Sequence, residues 1–290
     1  MIFSGELFTY NDEKRLTAFE SGRCSSSGFF NKVVVFISGL GDGFNAVPFL
    51  EPLSEMLFKN QWGLVQAQLS SSYQGFGTSN LQTDSEELDS LVSHLKNQRH
   101  KDSIVFLGHS TGSQDCYWHN KNGKHNQHVN GYILQAPVSD RQYFEANLEN
   151  FRAYVEMATQ LSQKENKGEE LMPRKALDGV PITANRFFSL TAVGGDDDVF
   201  STDFTKERIA QLYENVKRPI CWVYSENDEY YVPTSEASQS DVMKRYQDVC
   251  PAIKETHIIA KGDHSITLKE SQTQFCQVVE TFLKRLDSYA

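Results

Sequence analysis

A chain of 290 residues with 39% hydrophobic content can bury one large core, and doubly wound α/β folds often reach this size as a single domain. The formal net charge of −10 argues against nucleic acid or an anionic membrane surface as a partner, because both recruit basic surfaces. No apolar run approaches the ~20 residues of a membrane span, and residues 1–10 lack the basic start and long apolar stretch of a signal peptide, so a soluble, cytoplasmic protein is expected.

In chain order, residues 7–10 and 16–19 flank Asn11-Asp12-Glu13-Lys14 and predict a hairpin at a sheet edge. Residues 32–38 are a continuous apolar run, the pattern of a strand buried on both faces, and they lead into Gly39-Leu40-Gly41-Asp42-Gly43. A loop of this composition could cradle a phosphate. Here the glycines alternate, which breaks the G-x-G-x-x-G spacing, and no Gly-Lys-Ser/Thr follows, so no nucleotide cofactor is implied. Pro48 suits the first turn of a helix over 49–59, and residues 63–69 read as the next strand. Leu88, Leu91, Val92 and Leu95 then recur at helical spacing, giving an amphipathic helix that covers the sheet.

The next strand pattern, 103–107, ends in Gly108-His109-Ser110-Thr111-Gly112, and residues 113–118 can continue as a helix. A G-x-S-x-G sequence between strand and helix fits a nucleophile elbow, whose serine holds a strained backbone relieved by small neighbours. In the α/β-hydrolase arrangement an acid and then a histidine should follow, each on a loop just past a strand. Residues 219–224 read as a strand followed by Ser225-Glu226-Asn227-Asp228-Glu229, and residues 256–260 as another followed by Lys261-Gly262-Asp263-His264. A serine hydroxyl is a poor nucleophile at neutral pH and needs an imidazole to take its proton and a carboxylate to fix that imidazole's tautomer. Ser110, Asp228 and His264 supply the set in order. Glu229 and Asp140, the latter after the strand at 131–136, are alternative acids. His109 beside the nucleophile and His257 within a strand read as packing residues. The oxyanion hole should use the backbone N–H of Thr111 and a second N–H from the loop after the 32–38 strand, Leu40 first and Gly41 next.

Strands separated by helices imply a mostly parallel central sheet with helices on both faces, and each candidate catalytic residue falls at a strand's carboxyl end. Residues 139–218 are too long for a connection. Phe144, Leu148, Phe151, Tyr154 and Val155 mark one helical face, and Ile209, Leu212, Tyr213 and Val216 another, so this segment is expected as a helical cap on a core of residues 1–138 and 219–290. Phe187 and Phe188 could line a substrate pocket or form the cap's own core. The Asp196-Asp197-Asp198 run lacks the spacing of a calcium loop, and the five cysteines (Cys24, Cys116, Cys221, Cys250, Cys276) are scattered with no C-x-x-C pair. No metal is therefore expected, and reduced thiols are.

The Gly39-Leu40-Gly41-Asp42-Gly43 loop, the elbow extended as Ser113-Gln114-Asp115, the Leu134-Gln135-Ala136-Pro137-Val138-Ser139-Asp140-Arg141 stretch and Asp196-Asp197-Asp198-Val199-Phe200-Ser201 together resemble a fungal α/β-hydrolase family that includes intracellular esterases opening fusarinine-type siderophores. The resemblance spans nearly the whole chain and implies ester hydrolysis of a small-molecule substrate by Ser110, Asp228 and His264. One departure bears on the acid: the family tends to read Asp-Glu-Tyr-Val-Pro, whereas this chain has Asp228-Glu229-Tyr230-Tyr231-Val232-Pro233. The same residues would serve amide or thioester cleavage or acyl transfer, and a non-catalytic binding protein of the same fold is the alternative class, disfavoured by an intact triad.

Overall fold

The computed structural model describes residues 1–24, 28–233 and 237–289. β1 (Gly5–Asn11) and β2 (Leu16–Ser21) form the expected hairpin, with a bulge between Thr9 and Asn11, and a two-residue ladder of β3 (Arg23–Cys24) and β4 (Gly28–Phe29) follows. The chain then alternates through β5 (Lys32–Ile37), α1 (Leu50–Lys59), β6 (Gly63–Ala67), α2 (Leu81–Asn97), β7 (Ser103–His109), α3 (Gly112–Asn122) and β8 (Gly131–Gln135). Four helices come next: α4 (Asp140–Asn147), α5 (Phe151–Ser162), α6 (Ala184–Thr191) and α7 (Lys206–Tyr213). β9 (Ile220–Ser225), α8 (Gln239–Val249), β10 (Ile253–Ile259) and α9 (Lys269–Tyr289) complete the fold.

The main sheet has the order β1-β2-β6-β5-β7-β8-β9-β10, antiparallel at the β1 and β2 edge and parallel from β6 to β10. Its central strands are mostly apolar and buried because both faces are covered. Val33, Val35 and Ile37 face a cluster with Leu88, Leu91, Tyr117 and Trp222, whereas Val34 and Phe36 face another with Leu53, Leu57, Phe275 and Phe282. The two-residue period of a strand thus feeds α2, α3, α7 and α8 on one side and α1 and α9 on the other. Among the described residues no helix is long and apolar enough to cross a membrane.

Residues 139–218 do not pack as one body. Ala158, Met172, Phe187 and Leu190 form a third cluster with Phe76, joined by the half-buried Leu40 and Phe144. Val199, Phe200, Ile209, Tyr213 and Val216 instead join the sheet's own core beside Tyr117, Trp222 and Tyr246. The helical face expected from Phe144 to Val155 is broken in two, because Asn150 turns left-handed (φ 59°) between α4 and α5.

Candidate active site

β7 passes into α3 through Ser110, whose φ of 54° lies in the left-handed region that a side chain adopts at a cost. The backbone there is crowded enough to demand glycine on both sides. A Cβ at Gly108 would lie 2.1 Å from the carbonyl oxygen of Gly112, and one at Gly112 would lie 2.3 Å from that of Ile37. The Ser110 N–H donates to the Gln135 carbonyl at 3.0 Å, and the Ser110 carbonyl accepts from Ser113 at 2.8 Å, so the turn is held from β8 and from α3. Gly39 approaches the serine closely, since a Cβ on it would stand 2.9 Å from Ser110 Cβ. Leu40 and Thr111 both border a cavity of about 20 Å³ behind this turn, lined also by Asp84, Asp115 and Arg186.

His264 and Asp228 come from the loops after β10 and β9. Their side chains are buried, with Nδ1 of His264 2.8 Å from Oδ1 of Asp228. Glu229 binds the same residue differently: its Oε2 accepts the His264 backbone N–H at 2.9 Å. The two neighbouring acids therefore divide the work, Asp228 on the ring and Glu229 on the main chain. Further ties fix the loops, with Asn227 N–H donating to the Gly262 carbonyl at 2.8 Å and Gln135 Nε2 to the His264 carbonyl at 3.0 Å. The extra tyrosine is absorbed beyond the acid. Tyr230 packs at a tilt of 49° against the His264 ring, 4.5 Å between centroids, while Tyr231 turns inward against Tyr224 at 5.3 Å.

His109 lies 4.9 Å from the His264 ring, centroid to centroid, and its Nδ1 is paired with Gln135 Oε1 at 2.5 Å. Burial above all, and then the neighbouring His264, push its pKa down to about 3, which keeps it neutral and packing. Asp140 begins α4 and accepts from Gln114 Nε2 at 2.5 Å; burial, helped by Asp197, pushes its carboxyl up to about 8. It makes no contact with the His264 ring. The acidic run is answered by buried arginines rather than left open: Asp197 pairs with Arg186 at 2.6 Å and Asp198 with Arg141 at 2.9 Å. Phe187 is fully buried in the third cluster, whereas Phe188 borders a cavity of about 470 Å³ with Asn185 and Asp196.

Cys116, Cys221, Cys250 and Cys276 are free and buried, and for Cys24 only the backbone is described. Cys221, Glu255 and His257 bring potential metal-ligand atoms within 4.8 Å of one another on β9 and β10, but Glu255 is already engaged by Tyr289 at 2.5 Å and His257 at 2.9 Å. Tyr230, Tyr143, Asp42 and Arg186 are the residues around the site that sequence reasoning did not single out as functional. Only the inserted tyrosine carried a signal.

A family profile described as "Protein of unknown function (DUF1749)" matches residues 2–284. Esterase AN6793 of Emericella nidulans is 33% identical to the chain, over 73% of this chain and 70% of the relative. Fusarinine C esterase sidJ of Aspergillus fumigatus is 27% identical, over 63% and 65% respectively. Among solved structures, the siderophore hydrolase EstB from Aspergillus fumigatus superposes with a TM-score of 0.81 at 23% identity, covering 98% of each chain. The fold is that of the α/β hydrolases.

Proposed function

The chain belongs to the DUF1749 family, and on that footing we propose that it is a serine hydrolase of carboxylic esters. Ser110 Oγ attacks the ester carbonyl carbon while Nε2 of His264 takes its proton. Asp228, at 2.8 Å from Nδ1, keeps the ring in the tautomer with a free Nε2 and faces the imidazolium that forms. The N–H groups of Leu40 and Thr111 donate to the oxyanion. The imidazolium then returns its proton to the departing alcohol as the C–O bond breaks. A water deprotonated by the same imidazole releases the acid from the acyl-enzyme and restores Ser110. Asp140 and Glu229 take no part in the proton path.

The observation that carries this reading is the buried Asp228–His264 contact at the same end of the sheet as a left-handed serine between two obligatory glycines. As substrate we take a hydroxamate siderophore ester of the fusarinine type, a choice supported by the names of the esterase relatives, with residues 139–198 as the cap that selects it. The cytoplasm is the proposed compartment, in keeping with four buried free thiols.

The test compares wild type and Ser110→Ala on a fusarinine-type ester and on a 4-nitrophenyl acetyl ester, with a serine-reactive phosphonate as a label. Ser110→Ala should lose on the order of 10⁴-fold or more in turnover, and its labelling, with thermal unfolding unchanged. Near-wild-type turnover by the folded variant refutes the mechanism. Hydrolysis of the acetyl ester alone refutes the siderophore assignment and leaves the serine esterase.

A further inference from the structure

The mouth of the site has a composition that the hydrolytic reading does not use. The ring of Tyr143 on α4 lies 4.8 Å from that of Tyr230 at a tilt of 44°, and Tyr230 lies 4.5 Å from the His264 ring at a tilt of 49° while remaining 39% exposed, so an aromatic wall runs from the α4 segment to the candidate base. The loop after β5 contributes a carboxylate. The Asp42 N–H closes a turn on the Gly39 carbonyl at 3.1 Å, Gly39 abuts Ser110, and the Asp42 carbonyl accepts from Tyr73 N–H at 2.9 Å. The Asp42 side chain is half-buried and within electrostatic reach of both His264 and Tyr230. Among the described residues it has no hydrogen bond and no lysine or arginine partner.

A carboxylate taken partly out of water without a partner is unfavourable, and the favourable completion is a cation. Aromatic faces beside a carboxylate suit an ammonium, which gains from both the charge and the ring quadrupoles. We propose that Asp42, Tyr230 and Tyr143 form a subsite for an ammonium group carried within a few bonds of the scissile ester. The proposal rests on the ester-hydrolase reading of the same site and deepens it by naming the substrate's charge. The competing role for Asp42, steadying the imidazolium of His264, would act on every ester alike.

Two matched ester pairs test it. One places the charge on the alcohol side, 2-(trimethylammonio)ethyl acetate against 3,3-dimethylbutyl acetate. The other places it on the acyl side, ethyl 2-aminopentanoate against ethyl pentanoate, at a pH below the ~7.7–8.0 of an α-amino group. Wild type should prefer the cationic member of at least one pair by about tenfold or more in kcat/KM, and the preference should shrink with added salt because the group is only half-buried. Asp42→Asn should collapse that ratio, its loss on the cationic ester exceeding its loss on the neutral one about tenfold. Tyr230→Leu, which keeps bulk but removes the ring face, should reduce the ratio partway. Turnover without charge preference, or equal losses on both members in Asp42→Asn, overturns the subsite while leaving the hydrolase reading intact. Absence of Ser110-dependent turnover of every ester refutes both.

Discussion

Replacing Asp228 by Asn is the sharpest probe of the site, because it keeps shape and removes one charge at a known distance. Oδ1 stands 2.8 Å from Nδ1 of His264, and the acyl transfer proposed for Ser110 would form an imidazolium that places a full positive charge against it. For unit charges about 4 Å apart at an effective dielectric of about 20, the attraction is about 4 kcal/mol. At about 1.36 kcal/mol per decade that is about 10³ in rate, and stabilising the wrong tautomer adds to it, so a loss on the order of 10³ to 10⁴ in kcat is expected. Glu229→Gln retains an oxygen able to accept the His264 backbone N–H and should cost less than about tenfold. The assay is kcat and kcat/KM on one activated acetyl ester for both variants, with thermal unfolding recorded alongside. If Glu229→Gln is crippling and Asp228→Asn falls within tenfold of wild type, the assignment of the acid is wrong.

Gly112→Ala should fail to fold or unfold many degrees lower, because its Cβ would sit 2.3 Å from the Ile37 carbonyl oxygen, and circular dichroism melting checks it. Phe187→Ala should cost about 3–5 kcal/mol in denaturant unfolding, since the ring is wholly buried in the third cluster, and a variant of unchanged stability would refute that placement. Asp140 has a folded-state pKa raised to about 8, above the unfolded value of 3.8, so the preference for its protonated form stabilises the protein at low pH and is lost as pH rises toward 8. Asp140→Asn should therefore gain stability relative to wild type between about pH 4 and pH 8, measured as the difference in Tm across that window.

Local physics made much of this legible in advance. Strands buried on both faces read as unbroken apolar runs, which is why β5, β7 and β9 could be placed from residues such as Val34, Val105 and Val223. Gly108 and Gly112 announced the elbow because steric exclusion of a Cβ is a one-residue signal. What escaped is tertiary. Nothing in the spacing of Asp197 and Asp198 says that Arg186 and Arg141 neutralise them, and nothing local says that Val199 and Ile209 leave the cap and join the sheet core. The doubt over Asp228 or Glu229 had the same origin, since the two acids are adjacent in sequence and only the path of the 262–264 loop decides which meets the ring and which meets the main chain.

The partners of Arg186 bear on how a substrate could reach Ser110. This fully buried guanidinium sits on α6, donates to the Phe76 carbonyl at 3.1 Å and to Asp197 at 2.6 Å, and borders the same small cavity as Leu40 and Thr111. Lifting α5 and α6 away as a rigid lid would strip that charge of its partners and expose the apolar cluster around Phe187 and Leu190. Leaving a buried ion pair uncompensated costs about 3–5 kcal/mol, and each large apolar side chain returned to water adds about 1.5–3 kcal/mol. The rim formed by Tyr143 and Tyr230 has no buried ion pair to break, because Tyr230 is 39% exposed, its ring meets Tyr143 and His264 in tilted contacts, and its one tie to the site is the backbone N–H that donates to Asp228 Oδ1 at 3.0 Å. Access by rearrangement of that rim is the cheaper motion. Under the hydrolase reading proposed above, substrate would then enter past Tyr143 and Tyr230 while the rest of the cap holds still.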